Sequence, residues 1–226
     1  MTVHDFAYVF PFLLVMAAIQ EIPKQAAKPI LPTWPIVGSA LAAIISAILI
    51  RMDVKGIPLA GWLTGVNANF SIPLTTLLFS RVLRNATGII LLDRQALQTT
   101  WIFGLVTGFV LYPQALGLRF GSAGRLDPYA LGYGSVGFSL VLLALTIVLL
   151  IMKNRFGVVL VAAMAAYNLQ VLESPNLWDY LVDPVLVILS MVALAVEIVR
   201  RFHRRRTQPP SPTKVEPAQD WKDYLR

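Results

Sequence analysis

SVGFSLVLLALTIVLLIMKNRFGVVLVAAMAAYNLQVLESPNLWDYLVDPVLVILSMVALAVEIVRRFHRRR, residues 135–206, is the stretch whose reading decides the fold. It holds three apolar runs, 135–152, 156–172 and 180–199, parted by a basic turn (Lys153, Arg155) and an acidic one (Glu173, Asp179, Asp183). A helix crossing ~30 Å of hydrocarbon needs ~20 apolar residues at 1.5 Å each. Each run approaches that length, so the sequence predicts three consecutive transmembrane helices. The last ends in Arg200-Arg201-Phe202-His203-Arg204-Arg205-Arg206, a block that the positive-inside rule assigns to the cytoplasmic face. Counting back, the Lys153 turn is expected inside. The acidic turn and the loop before residue 135 are expected outside.

Composition points the same way. Of 226 residues, 57% are hydrophobic and 14% charged, with mean hydropathy +0.68, whereas soluble domains carry ~25% charged residues. The net charge of +7 gathers at the ends of apolar runs. That pattern fits a ring at lipid headgroups better than a nucleic-acid surface, and no nucleic-acid partner is expected. There is no cysteine, which removes disulfides, thiolate metal sites and thiol nucleophiles. The first five residues carry no basic n-region, and no A-x-A-like site follows the first apolar run, so a cleaved signal peptide is not expected.

Further runs at 6–19 and 36–50 read as two more spans, separated by a loop with Lys24, Lys28 and four prolines. Residues 57–80 are long enough to cross but are interrupted by Gly61, Gly65, Asn67, Asn69 and Pro73. If they span, the bundle has seven helices and an outside N-terminus; if they re-enter, it has six. Asp5 before the first run and Lys24 and Lys28 after it favour seven. Arg81, Arg84 and Arg94 mark an inner connection, with 85–92 lying along the interface. Residues 100–118 cross outward, carrying Gly104 and Gly108 at the G-x-x-x-G spacing that permits close helix approach and self-association or a membrane-protein partner. The expected fold is thus an all-α polytopic bundle over 1–206, followed by a Pro-rich flexible cytoplasmic tail over 207–226. The expected location is a bacterial inner membrane.

Candidate chemistry collects on the expected outer face. Asp127, Asp179 and Asp183 are the candidate acidic centre; Arg119, Arg125, Tyr129, Glu173 and Trp178 are candidate ligand contacts. Asp179 and Asp183 stand four apart, the spacing of one helical face, and paired carboxylates serve general acid–base work or grip a polar substrate. The competing structural account is that Asp127-Pro128 and Asp183-Pro184 are N-cap and N1 pairs opening helices. Asp183, Ser190 and Glu197 recur every seven residues and share a side of the last helix. That side is the basis of a carrier or channel reading. Asn168 and Gln170 are placed to satisfy the backbone of the interrupted segment.

The two histidines, His4 and His203, fall near opposite ends, and no nucleotide-binding fingerprint occurs. No cofactor or metal is expected. The functional expectation is a non-catalytic accessory or scaffold subunit in cell-envelope biogenesis. The alternatives are an integral-membrane enzyme acting on a lipid-linked substrate and a small carrier.

Overall fold

The computed structural model describes residues 6–22, 34–115 and 127–207. Within them the chain is helical almost throughout. In order come α1 (Val9–Glu21), α2 (Trp34–Leu49), a hairpin of β1 (Asp53–Val54) and β2 (Ile57–Pro58), α3 (Leu59–Val66), α4 (Ile72–Thr87) and α5 (Arg94–Ala115). A 3-10 turn (Tyr129–Gly132) then leads to α6 (Val136–Ile151), α7 (Phe156–Asn168), the short α8 (Leu177–Leu181) and α9 (Pro184–Thr207).

No helix among the described residues is long and apolar enough to cross a membrane. This overturns the seven-span transmembrane bundle and its six-span alternative. The multi-pass inner-membrane location and the cytoplasmic C-terminus rested on those spans and lose their support with them. The physical reason is where the apolar runs are cut. α1 and α7 have 13 residues and α2, α4 and α6 have 16, which is about 20–24 Å of helix against ~30 Å of hydrocarbon. The two longer helices are diluted by polar residues. α5 opens Arg94-Gln95 and contains Gln98, Thr99, Thr100 and Pro113, while α9 gives nearly its last half to Glu197 and the arginine-rich segment after it. The expected tail beyond 207 lies outside the described residues.

Local chemistry explains the cuts. Lys55 and Gly56 both take positive φ, 54° and 79°, the pattern of a type I′ hairpin turn; it reverses the chain just after α2. The interruption at 67–71 follows from an extended Asn67 and a Ser71 N-cap, whose hydroxyl accepts from Leu74 N with Pro73 in the first turn. Gly88 closes α4 in the left-handed region at φ 77°.

α4 lies at the centre, packed on α1, α2, α7, α8 and α9, while α5 pairs with α9 and α6 with α7. The main core joins Phe70, Leu74, Ala96, Phe156, Leu160, Tyr180 and Leu186; a smaller one joins Leu13, Met16, Ala17, Ala42 and Val82. In the α5–α9 seam a β-carbon on Gly104 would strike the Ser190 hydroxyl, and one on Gly108 would lie 2.5 Å from Val187 Cγ1. The G-x-x-x-G spacing is therefore filled by the chain's own last helix.

The connections between helices cluster at two ends. At one, Arg155 donates to the Ile90 and Leu91 carbonyls at 2.6 and 3.1 Å, Asn154 donates to Thr99 Oγ1 at 2.7 Å, and Arg94 meets Glu197 at 3.2 Å. Segment 88–93 is thus clamped by the Lys153–Arg155 turn. Arg81 pairs with Glu21 at 3.1 Å. The other end carries the acidic residues singled out from the sequence.

Candidate functional site

Asp127, Tyr129, Glu173, Trp178, Asp179 and Asp183 belong to this second end; Arg119 and Arg125 lie outside the described residues. Two knots of hydrogen bonds organise it. In the first, Asp127 Oδ1 accepts from Tyr129 N at 2.9 Å and starts the 3-10 turn. The Tyr129 hydroxyl then donates to both Asp179 oxygens, at 3.1 and 3.0 Å, and the Ser174 hydroxyl donates to Asp179 as well. Burial first, and then the Asp179 charge, push the Tyr129 phenol up from its ordinary pKa.

Asn176 ties the knot to the chain. Its Oδ1 accepts from Trp178 N at 2.9 Å, capping α8, and its Nδ2 donates to the Tyr129 carbonyl at 3.0 Å. The indole of Trp178 donates to the Pro128 carbonyl at 2.8 Å and its rings lie 4.3 Å from that of Phe138. Gly132 is required beside Asn176, because a β-carbon there would overlap the amide oxygen. Trp178 thus acts as a buried wedge between the turn and α6.

The second knot is centred on Asp183, which is 2% exposed. Its Oδ1 accepts from Leu186 N and its Oδ2 from Ser71 N, both at 2.9 Å. One carboxylate therefore caps α9 and holds the N-cap residue of α4. Here the backbone of the interrupted segment finds its partner. Asn168, expected to supply it, donates instead to its own Met164 carbonyl. Burial raises the Asp183 pKa against the opposing effect of its hydrogen bonds. The nearby Tyr112 phenol is raised too, by burial first and then by Asp183 and Asp179.

Asp179 and Asp183 do not share a helical face. α8 ends at Leu181, and Val182 is extended (φ −149°, ψ 142°) before α9 begins, so the two carboxylates serve different knots. Both Asp-Pro pairs open helices as caps. The seven-residue series on α9 is likewise engaged: Ser190 donates to the Leu186 carbonyl at 2.7 Å and faces Gly104, while Glu197 meets Arg201 at 3.0 Å and Arg94. The Arg201 hydrogen bond, with Arg94 beside it, holds Glu197 below its ordinary pKa.

Tyr180 completes this end, donating to the Leu172 carbonyl at 3.0 Å and accepting from Leu172 N at 3.2 Å. A cavity of about 440 Å³ opens beside the α3 break, lined by Tyr8, Gly61, Gly65, Asn69 and Leu172. Of the residues predicted from the sequence, Glu173 lines it. Ser174 and the bridging role of Asn176 escaped the sequence reading. Their signal is Ser174-Pro175-Asn176 before Leu177, two capping residues around a proline.

No known protein family, curated protein or solved structure matches this chain.

Proposed function

We propose that the protein is a non-catalytic accessory or scaffold subunit whose exposed apolar helix faces are covered by a protein partner. One observation carries the reading. On α6, Val136, Leu140 and Val141 are 72%, 59% and 68% exposed, and on α2, Ile36, Ile44 and Ile48 are 61%, 59% and 60% exposed. Single exposed apolar residues are ordinary, whereas contiguous apolar faces mark interaction surfaces. The acidic residues support the same reading. Asp127 and Asp183 spend their carboxylates on caps, and Asp179 is engaged by two hydroxyls.

The test is affinity purification of the full chain from its native cells, compared with Val141→Asp and with Asp127→Asn and Asp179→Asn. A stoichiometric polypeptide retained by both Asn variants and lost with Val141→Asp supports a scaffold. Recovery of the chain alone, or a partner insensitive to Val141→Asp, overturns the reading.

A further inference from the structure

α5 and α9 meet in a small cleft at the end of the molecule opposite the acidic knots. Its volume is about 250 Å³, and all four lining residues are charged: Arg94 from α5, and Glu197, Arg200 and Arg201 from α9. That volume falls below the roughly 300–1,000 Å³ of drug-sized sites, so the cleft admits one small group. Helical spacing gathers the α9 side chains, because Arg200 and Arg201 stand three and four residues past Glu197. Arg94, the first residue of α5, reaches the same carboxylate from across the seam.

A pin between the two helices would need one guanidinium. Glu197 Oε1 instead accepts from two, Arg94 Nη2 at 3.2 Å and Arg201 Nε at 3.0 Å. Arg200 completes the cleft with no hydrogen bond or ion pair among the described residues. The Arg94 and Arg201 side chains are 75% and 65% exposed, so their pairs with Glu197 add little to stability. Packing at Gly104 and Gly108 closes the seam without them.

What remains is a surplus of donors and of charge. A guanidinium carries five N–H donors in a planar fork, and the carboxylate takes one from Arg94 and one from Arg201. Three positive charges less one negative leave the cleft at +2. Around it Arg81, Arg84, Lys153 and Arg155 outnumber Glu21 and Asp93, so the field of this end attracts anions as well.

From the charged cleft, its size and its unspent donors, we infer that Arg94, Arg200 and Arg201 bind a phosphate monoester group, with Glu197 gathering two of the three arginines. A phosphate monoester carries a charge of about −1.5 to −2 near neutral pH and three acceptor oxygens, which matches both surpluses. Guanidinium forks engage such oxygens in pairs. A carboxylate or a phosphodiester brings a single charge and leaves half of the excess unmet. The group is carried either by a soluble phosphate or by the headgroup of a phosphomonoester lipid.

Titration calorimetry of the full chain with inorganic phosphate at physiological salt tests the soluble source. Co-sedimentation with phosphatidylcholine vesicles carrying phosphatidic acid, against vesicles carrying phosphatidylglycerol at matched surface charge, tests the lipid one. Arg200→Gln removes a side chain that holds nothing else in the described structure, so folding should be unchanged while binding weakens by about fivefold or more. Arg84→Gln removes the same charge from this end outside the cleft and should weaken binding by less than about twofold, because salt screens charges beyond about 8 Å. Saturable binding of inorganic phosphate with that pattern assigns a soluble ligand. Capture by phosphatidic acid in preference to phosphatidylglycerol, with the same pattern and no binding of inorganic phosphate, assigns a headgroup. Binding in neither arm, equal losses in the two variants, or equal capture by both kinds of vesicle without binding of inorganic phosphate would overturn the inference.

Discussion

Gly108→Ala is a perturbation that the α5–α9 seam resists. An alanine in a free helix face would stabilise by up to about 1 kcal/mol relative to glycine. Here the added β-carbon would lie 2.5 and 2.8 Å from the two Val187 methyls. Valine is stiff at χ1 in a helix, so relief requires moving a backbone, and overpacking of this kind costs about 1–3 kcal/mol. The net expectation is a loss of about 1–2 kcal/mol. Val187→Ala alone should lose a similar amount through the space it leaves. In the double variant the new methyl occupies that space, so the two losses should fall short of additive by at least about 1 kcal/mol. The assay is denaturant unfolding of the four proteins, read as midpoint shifts at constant slope. Additive losses, or stabilisation by Gly108→Ala alone, would refute the intramolecular seam.

Four further outcomes follow from the two knots and the hairpin. Asp183→Ala strands the Leu186 and Ser71 amides, both buried at the helix starts, and should cost about 2–4 kcal/mol in unfolding free energy after relief of the buried carboxyl is counted. Because the folded pKa of Asp183 is raised, the native state binds its proton at higher pH than the unfolded chain. Its contribution is therefore full in acid and lost as pH rises through the folded value, and a plot of thermal midpoint against pH should lose that downward slope in Asp183→Asn. Gly132→Ala should cost about 2–4 kcal/mol by displacing Asn176 from the Tyr129 carbonyl, seen as a lower midpoint. Lys55→Asn, which sets an Asn-Gly pair in the type I′ turn, should raise stability by about 0.5–1 kcal/mol.

Helical structure was legible because apolar runs bounded by caps and prolines dominate the chain, and the break at 67–71 was visible in Gly65, Asn69 and Pro73. Span length was not legible, since hydrophobicity does not reveal where a helix stops. The extended Val182 ends a helix without interrupting apolar composition, whereas the end of α2 was marked in the sequence by Arg51, Asp53 and Lys55. Asp127 and Asp183 were readable as caps from the proline that follows each. The second partner of Asp183 was not: Ser71 is 112 residues away, and only tertiary packing brings its amide to the carboxylate. Pairing Asp179 with Asp183 by spacing failed because that inference assumes one continuous helix.

The central claim, that the exposed face of α6 is a protein-binding surface, is tested most directly by a photoreactive amino acid placed at Val141 in the full chain and irradiated in native cells. A single discrete heavier adduct containing a second polypeptide is expected, and none when the same group is placed at Leu160, which is fully enclosed in the core. Irradiation that yields no protein adduct from Val141, or equal yields from both positions, would contradict the account.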